Sequence, residues 1–335
     1  MELINLARLK ERLSGILMLL IIFIALFIIM SIVMPAQFLS LGNFQSMAFQ
    51  LPELGILALA MMITMVSGGI NLSIIAGANL SGIVMALIMT SFITESTPFA
   101  ASFSITLFAI LLGLLVALII GILNGFLIAY VNVSPILTTL GTMTLVQGIS
   151  VGVTKGYVIS GFPQGFQSIG NNTLLGIPVP MLIFILIVFL MSIILNRSTF
   201  GISVYMLGSN KTATSFSGIN VKKVTMKIYA ISGLLTGLAA VIMISRFNSA
   251  SAGYSTSYLL VTVLLAVLGG VNPDGGFGRI SGIIMALLIL QVISSGLNLM
   301  QVSSQLSKAL WGIILILVIA LRYYSDKFKL AQRTQ

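Results

Sequence analysis

Apolar runs of roughly 18 residues or more recur along the whole chain, and each is long enough to cross a hydrocarbon core about 30 Å thick. A backbone in lipid has no water to bond, so it must satisfy its own N–H and C=O groups, and runs of this length become helices. Composition agrees. The chain is 58% hydrophobic and 7% charged, against about 25% charged in a soluble domain. Too few polar side chains exist to cover a water-facing surface, so lipid must cover most of it. The expected fold class is an all-α integral membrane protein.

Ten spans are expected, at about 14–34, 44–66, 71–90, 102–130, 135–153, 179–196, 225–245, 256–271, 279–299 and 306–322. The eighth is short and the fourth long. Pro52, Gly68 and Gly69 interrupt the second and third, which requires shelter by neighbouring protein. The basic N-terminus followed by an apolar run has the look of a signal peptide. The run Ser14–Met34 is too long for a signal core and has no small-residue cleavage site, so it reads as the first span. The expected division is a cytoplasmic segment at 1–13, a membrane domain at 14–322 with a cytoplasmic loop at about 197–224, and a cytoplasmic tail at 323–335.

The net charge of +10 would suggest nucleic acid in a soluble protein. Here the positives act as orientation signals. With the N-terminus in the cytoplasm, Arg8, Lys10, Arg12, Arg197, Lys211, Lys222, Lys223, Lys227, Arg279, Arg322, Lys327, Lys329 and Arg333 fall inside. Only Lys155, Arg246 and Lys308 fall outside. That asymmetry supports an even number of spans with both termini cytoplasmic, and no nucleic-acid partner. Cysteine and histidine are both absent, which removes thiolate chemistry and the usual proton shuttle. Acids are too sparse for a paired-carboxylate or metal site, so no catalytic residue, metal or cofactor is expected.

The loop inside this frame, "FGISVYMLGSNKTATSFSGINVKKVTMK" at 200–227, holds a short helix. Ser209 or Asn210 can cap its start and Gly218 can end it in a left-handed conformation. About two turns lie between them, too few to be stable alone. Ala213 and Phe216 share one face. Such a helix rests either on the inner surface of its own chain or against a cytoplasmic partner. Lys222, Lys223 and Lys227 fit a boundary with anionic headgroups. The fragment "GSNKTATS" at 208–215 has the wrong spacing for a phosphate loop, so the chain has no means of its own to use ATP.

Glu53 is the one carboxylate expected within the membrane, where an ionised group is costly and is paired or functional. The doublets Gly68-Gly69 and Gly269-Gly270 occupy comparable places in the two halves. Asn71 and Asn272 each follow after one residue, which hints at an internal repeat. Gly121 and Gly125 form a small-x-x-x-small pair suited to helix packing. Asn71, Ser73, Asn79, Asn124, Thr138, Thr139 and Asn298 lie in apolar surroundings. With Glu53 they are the candidates for lining a polar pathway through the bundle.

The segment Arg197–Ala240 resembles the cytoplasmic loop and following span of permease subunits of ribose- and autoinducer-2-class ABC importers. The matching residues are Phe200, Gly201, Tyr205, Gly208, Asn210, Ala213, Ser217, Gly218, Ile219, Asn220 and Val221, then "SGLLTGLAA" from Ser232. Three further blocks match in order: "SGGINLSI" at 67–74, "LNGFLIAYVNVSPILTTLGTM" at 123–143 and "LGGVNPDGGFGRISGIIMALLILQVISSGLNLMQVSS" at 268–304. Asn71 stands where the family usually has Asp, Ser134-Pro135 replaces Pro-Pro, and Pro273 and Asp274 stand where small residues are usual.

The resemblance implies a permease subunit that pairs with a second permease subunit, identical or paralogous. ABC ATPase subunits would dock beneath and a periplasmic or surface-anchored binding protein would deliver solute. It implies that Gly208, Ser209, Asn210, Ala213, Phe216, Ser217, Gly218 and Ile219 couple to the ATPase, in a bacterial inner membrane. The rival reading is an ion-coupled secondary transporter that uses Glu53.

Overall fold

The computed structural model describes residues 2–94, 96–303, 305–307, 309–314 and 316, with side chains described from residue 16 onward. The helices whose bounds are fully described are, in chain order, α1 Glu2–Val33, α2 Pro35–Phe38, α3 Leu41–Val66, α4 Ile74–Phe92, α5 Phe99–Ala129, α6 Pro135–Thr154, α7 Gln164–Asn171, α8 Val179–Arg197, α9 Thr199–Ser209, α10 Lys211–Phe216, α11 Val221–Phe247, α12 Tyr258–Leu268 and α13 Ile280–Leu299. Two small antiparallel ribbons complete the description. Strand β1 (Ile159–Ser160) pairs with β4 (Ser249–Ala250), and β2 (Thr173–Leu174) pairs with β3 (Ile177–Pro178).

Among the described residues, eight helices are long and apolar enough to cross a membrane, where ten spans were expected. The expected span 256–271 is α12, of 11 residues, about 16 Å at 1.5 Å per residue and so near half a bilayer core. Such a half-span is tolerated because protein shelters it: Val261, Thr262, Leu264, Leu265, Ala266 and Val267 are all buried. Of the expected span 306–322, residues 306, 307, 309–314 and 316 are described and helical; its remainder and the tail 323–335 lie outside the described residues.

Helix α3 is the spine of the bundle. From Leu51 to Val66 every residue except Leu54 is buried. Pro52 sits inside this helix, where it removes one ladder hydrogen bond; α8, α11, α12 and α13 pack around the span and shelter the break. Helix α11 is buried along most of its length and lies closest to α5. Glycines permit that approach. A Cβ on Gly121 would strike the Tyr229 carbonyl, one on Gly233 the Ala117 carbonyl, and one on Gly125 would come within 3.0 Å of Met226 Cα. A branched side chain at either Gly121 or Gly233 must push the helices apart. We expect Gly121→Val to cost about 1–3 kcal/mol although it raises helix propensity; thermal unfolding in detergent would register the loss.

The two glycine doublets close similar turns, with a shift of one register. Gly68 N–H donates to Met65 O at 2.9 Å and Gly69 N–H to Thr64 O at 3.0 Å. In the second half the same pair of bonds runs from Gly270 to Val267 O (3.0 Å) and from Val271 to Ala266 O (2.9 Å). Gly68 therefore corresponds to Gly270, not to Gly269, and both hold positive φ, +81° and +86°. These are left-handed helix stops that satisfy carbonyls left open at a helix end. Each is followed by an Asn whose Oδ1 accepts the N–H two residues on, Asn71 from Ser73 and Asn272 from Asp274.

Candidate functional site

The polar loop between α8 and α11 folds into two helices rather than one. Ser198 caps α9 by accepting from Gly201 N–H at 3.0 Å. Ser209 ends α9, and Asn210 is the residue that caps α10, its Oδ1 accepting from Ala213 N–H at 2.9 Å. A cap of this kind is worth about 1 kcal/mol. Gly218 ends the segment with φ +79° and open space around it. The six residues of α10 are too few to hold themselves, and they are held by one buried side chain. Thr214 is 1% exposed and donates from Oγ1 to Asn210 O at 2.7 Å.

With Thr214 turned inward, Ala213 and Phe216 face away from the protein, and Phe216 is 88% exposed. Ser217 and Gly218 are also exposed, while Ile219 is half-buried against the core. Three exposed lysines follow, Lys222, Lys223 and Lys227. The ammonium of Lys222 sits 5.3 Å from the centre of the Tyr130 ring.

The polar residues singled out from the sequence divide into four groups. Asn71, Ser73 and Asn124 form one buried network. Ser73 Oγ donates to Asn71 Oδ1 (2.7 Å), Asn124 Nδ2 to Ser73 Oγ (2.8 Å) and Asn71 Nδ2 to Ser232 Oγ (3.0 Å). Ser232 in turn donates to Ala60 O at 2.9 Å, so the network ties α3, α4, α5 and α11 together. Thr139 caps the space behind it, donating to Pro135 O at 2.9 Å and lying 3.0 Å from Ile70 O. Asn79 stands apart and holds the loop before α12 through Ala252 O and Tyr254 O, each at 3.0 Å. Thr138 is buried beside Thr139 with no hydrogen-bond partner among the described residues, as is the Oδ1 of Asn124. Asn298 lies exposed near the end of α13, away from all of these.

Glu53 is 1% exposed and pairs with Arg246 at 3.0 Å. Tyr258, the first residue of α12, lies against the same carboxylate. The pair joins the middle of α3 to the last turn of α11 and the start of α12. The guanidinium also stacks 4.7 Å from the Phe247 ring centre. Arg246 had been sorted with the outer cations, and 193 residues separate it from Glu53, so no local signal could show the pairing. Beyond it, α7 folds back on the end of α11, with Asn171 donating to Ser245 O at 3.0 Å and Phe166 fully buried. Periodicity gave no sign of α7, whose eight residues are short and bracketed by Pro163 and Asn172.

Comparison with known proteins follows the same lines. A family model described as "Branched-chain amino acid transport system / permease component" matches residues 43–319. The autoinducer 2 import system permease protein LsrD of Yersinia enterocolitica is 35% identical over 81% of each chain. LsrD of Photorhabdus temperata is 34% identical over 81% of this chain and 80% of its own. The ribose import permease protein RbsC of Bacillus subtilis is 35% identical over 89% of this chain and 91% of its own. No solved structure matches the chain. With a family model covering most of its length and relatives at this identity, the chain is a multi-pass membrane protein that belongs to the transport-system permease-component family.

Proposed function

We propose that the chain is the membrane-embedded permease subunit of a bacterial ABC importer for a monosaccharide or a similar small polar solute. Work comes from separate ATPase subunits that grip α10. A periplasmic or surface-anchored binding protein delivers solute, and a second permease subunit completes the pathway in the cytoplasmic (inner) membrane. The observation that carries this reading is the geometry of α10: a capped helix, pinned from behind by Thr214, that presents Ala213 and an 88% exposed Phe216. Phe is among the aromatic residues enriched at protein–protein interfaces. Gly208, Ser209, Asn210, Ser217, Gly218 and Ile219 frame that face. The charge asymmetry supports a cytoplasmic placement for it, with both termini on the same side.

The names of the relatives, ribose and autoinducer 2 import permeases, support a neutral, polar sugar-like solute. Within the polar set we assign Asn71, Ser73, Thr139 and the Nδ2 of Asn79 to bonding inside the bundle. The Oδ1 atoms of Asn79 and Asn124 and the Oγ1 of Thr138 retain hydrogen-bonding capacity for a passing solute. Glu53 is assigned to its pair with Arg246, which removes the free carboxylate that the ion-coupled reading requires.

Co-expression with a candidate ABC ATPase subunit tests the proposal. A detergent-stable complex whose ATP hydrolysis rises when the loaded binding protein is added is expected. A chain that neither binds an ATPase nor stimulates one would overturn it.

A further inference from the structure

Three segments far apart in the chain meet at the polar end of the bundle without a side chain between them. They are the end of α3 at Val66–Gly68, the last turns of α9 at Tyr205–Ser209, and the loop Asp274–Gly278 that leads into α13. Gly276 N–H donates to Val66 O at 2.8 Å. A Cβ on Gly208 would overlap both Val66 O and Gly276 N. On Gly275, which has φ +94°, it would sit 2.7 Å from Gly68 N and 2.8 Å from Gly208 O. On Gly276, with φ +76°, it would lie 3.0 Å from Ser209 Cα. Tyr205 closes the junction from one side, its hydroxyl donating to Gly278 O at 2.9 Å.

Such backbone-on-backbone packing has a mechanical consequence. Side chains take up displacement by changing rotamer, whereas backbones in contact do not. Gly208 is three residues before Lys211, the first residue of α10. A push on α10 therefore reaches the end of α3 and the α12–α13 loop through contacts that have no slack. Building on the docking role proposed for α10, we infer that the Gly208–Gly275–Gly276 junction is a rigid relay. It sets how much solute moves per ATP hydrolysed by making α3 follow the docking helix.

The test uses the full complex of permease, ATPase and binding protein in proteoliposomes, and reads solute transported per ATP hydrolysed together with ATPase co-purification. Gly275→Ala is expected to keep the ATPase bound within about two-fold and to lower transport per ATP at least ten-fold. Gly276→Ala, which needs only a small shift, is expected to lower it less. Gly270→Ala is the control: the same loop and a positive φ of +86°, with nothing within 4 Å of a Cβ. It carries the backbone strain without the contact and is expected to keep transport per ATP near wild type. Tyr205→Phe keeps all packing and loses only the hydroxyl; a two- to five-fold loss in the ratio is expected even where a glycine variant fails to insert. Normal transport per ATP in an assembled Gly275→Ala complex would overturn the relay, and so would equal losses in Gly270→Ala and Gly275→Ala. Neither result touches the docking role of α10, which fails only if its own outer face can be changed without losing the ATPase.

Discussion

Phe216→Asp is expected to weaken association with the ATPase at least 100-fold while the chain still inserts and folds. The side chain is 88% exposed, so its replacement costs the permease almost nothing in packing. In a complex the ring would be buried at the centre of the contact, and losing such an anchor typically removes 2 kcal/mol or more, before the added cost of burying an aspartate. Ala213→Glu, on the same face, is expected to act alike. Thr214→Val should act differently: it removes the bond to Asn210 O and loosens α10, so association weakens through disorder and the isolated permease is altered as well. Titration of labelled ATPase against detergent-solubilised permease separates the cases. Unchanged affinity in both Phe216→Asp and Ala213→Glu would place the docking surface elsewhere.

Glu53→Ala is expected to be the most destabilising single change in the membrane region. It leaves Arg246 facing a cavity with no counter-charge, and breaking a buried pair from one side costs about 3–5 kcal/mol. Arg246 keeps 16% of its side-chain exposure, so the lower part of that range is expected. Replacing both members, Glu53→Leu with Arg246→Met, should recover most of the loss, because the charges that needed each other are both gone. Thermal unfolding in detergent gives the three values. If Glu53→Ala is as stable as wild type, the pair does not hold α3 to α11 and α12. If the double variant folds and still transports, the carboxylate carries no proton or ion in the cycle.

Much of this architecture could be read from the chain alone because bilayer thickness converts directly into run length. The edges of α3, α6, α8 and α13 fall within a few residues of the expected spans for that reason. Half-span α12 was overestimated because an apolar run of 16 residues does not say how much of itself is helical. The cap at Asn210 and the stop at Gly218 were legible, since those residue types have few other uses between two polar positions. Long-range pairings were not. The bond from Asn124 to Ser73, the ion pair of Glu53 with Arg246, and the meeting of Gly208 with Gly275 each join positions 51 to 193 residues apart. Nothing in local periodicity marks them. Asn71 and Thr139 read from sequence as candidates to meet solute, yet their amide and hydroxyl groups are taken up by neighbouring helices and loops, as is the Nδ2 of Asn79. An apolar interior punishes an unpaired polar group, and the nearest partner is usually protein.

The central claim is that this chain moves solute only when another polypeptide hydrolyses nucleotide against α10. Uptake of labelled solute into proteoliposomes tests it most directly. The liposomes contain the chain with or without its ATPase and binding protein, and uptake is followed with and without ATP and a proton ionophore. Uptake should require all three proteins and ATP, vanish in Phe216→Asp, and ignore the ionophore. Uptake by the chain alone that collapses with the ionophore would contradict it.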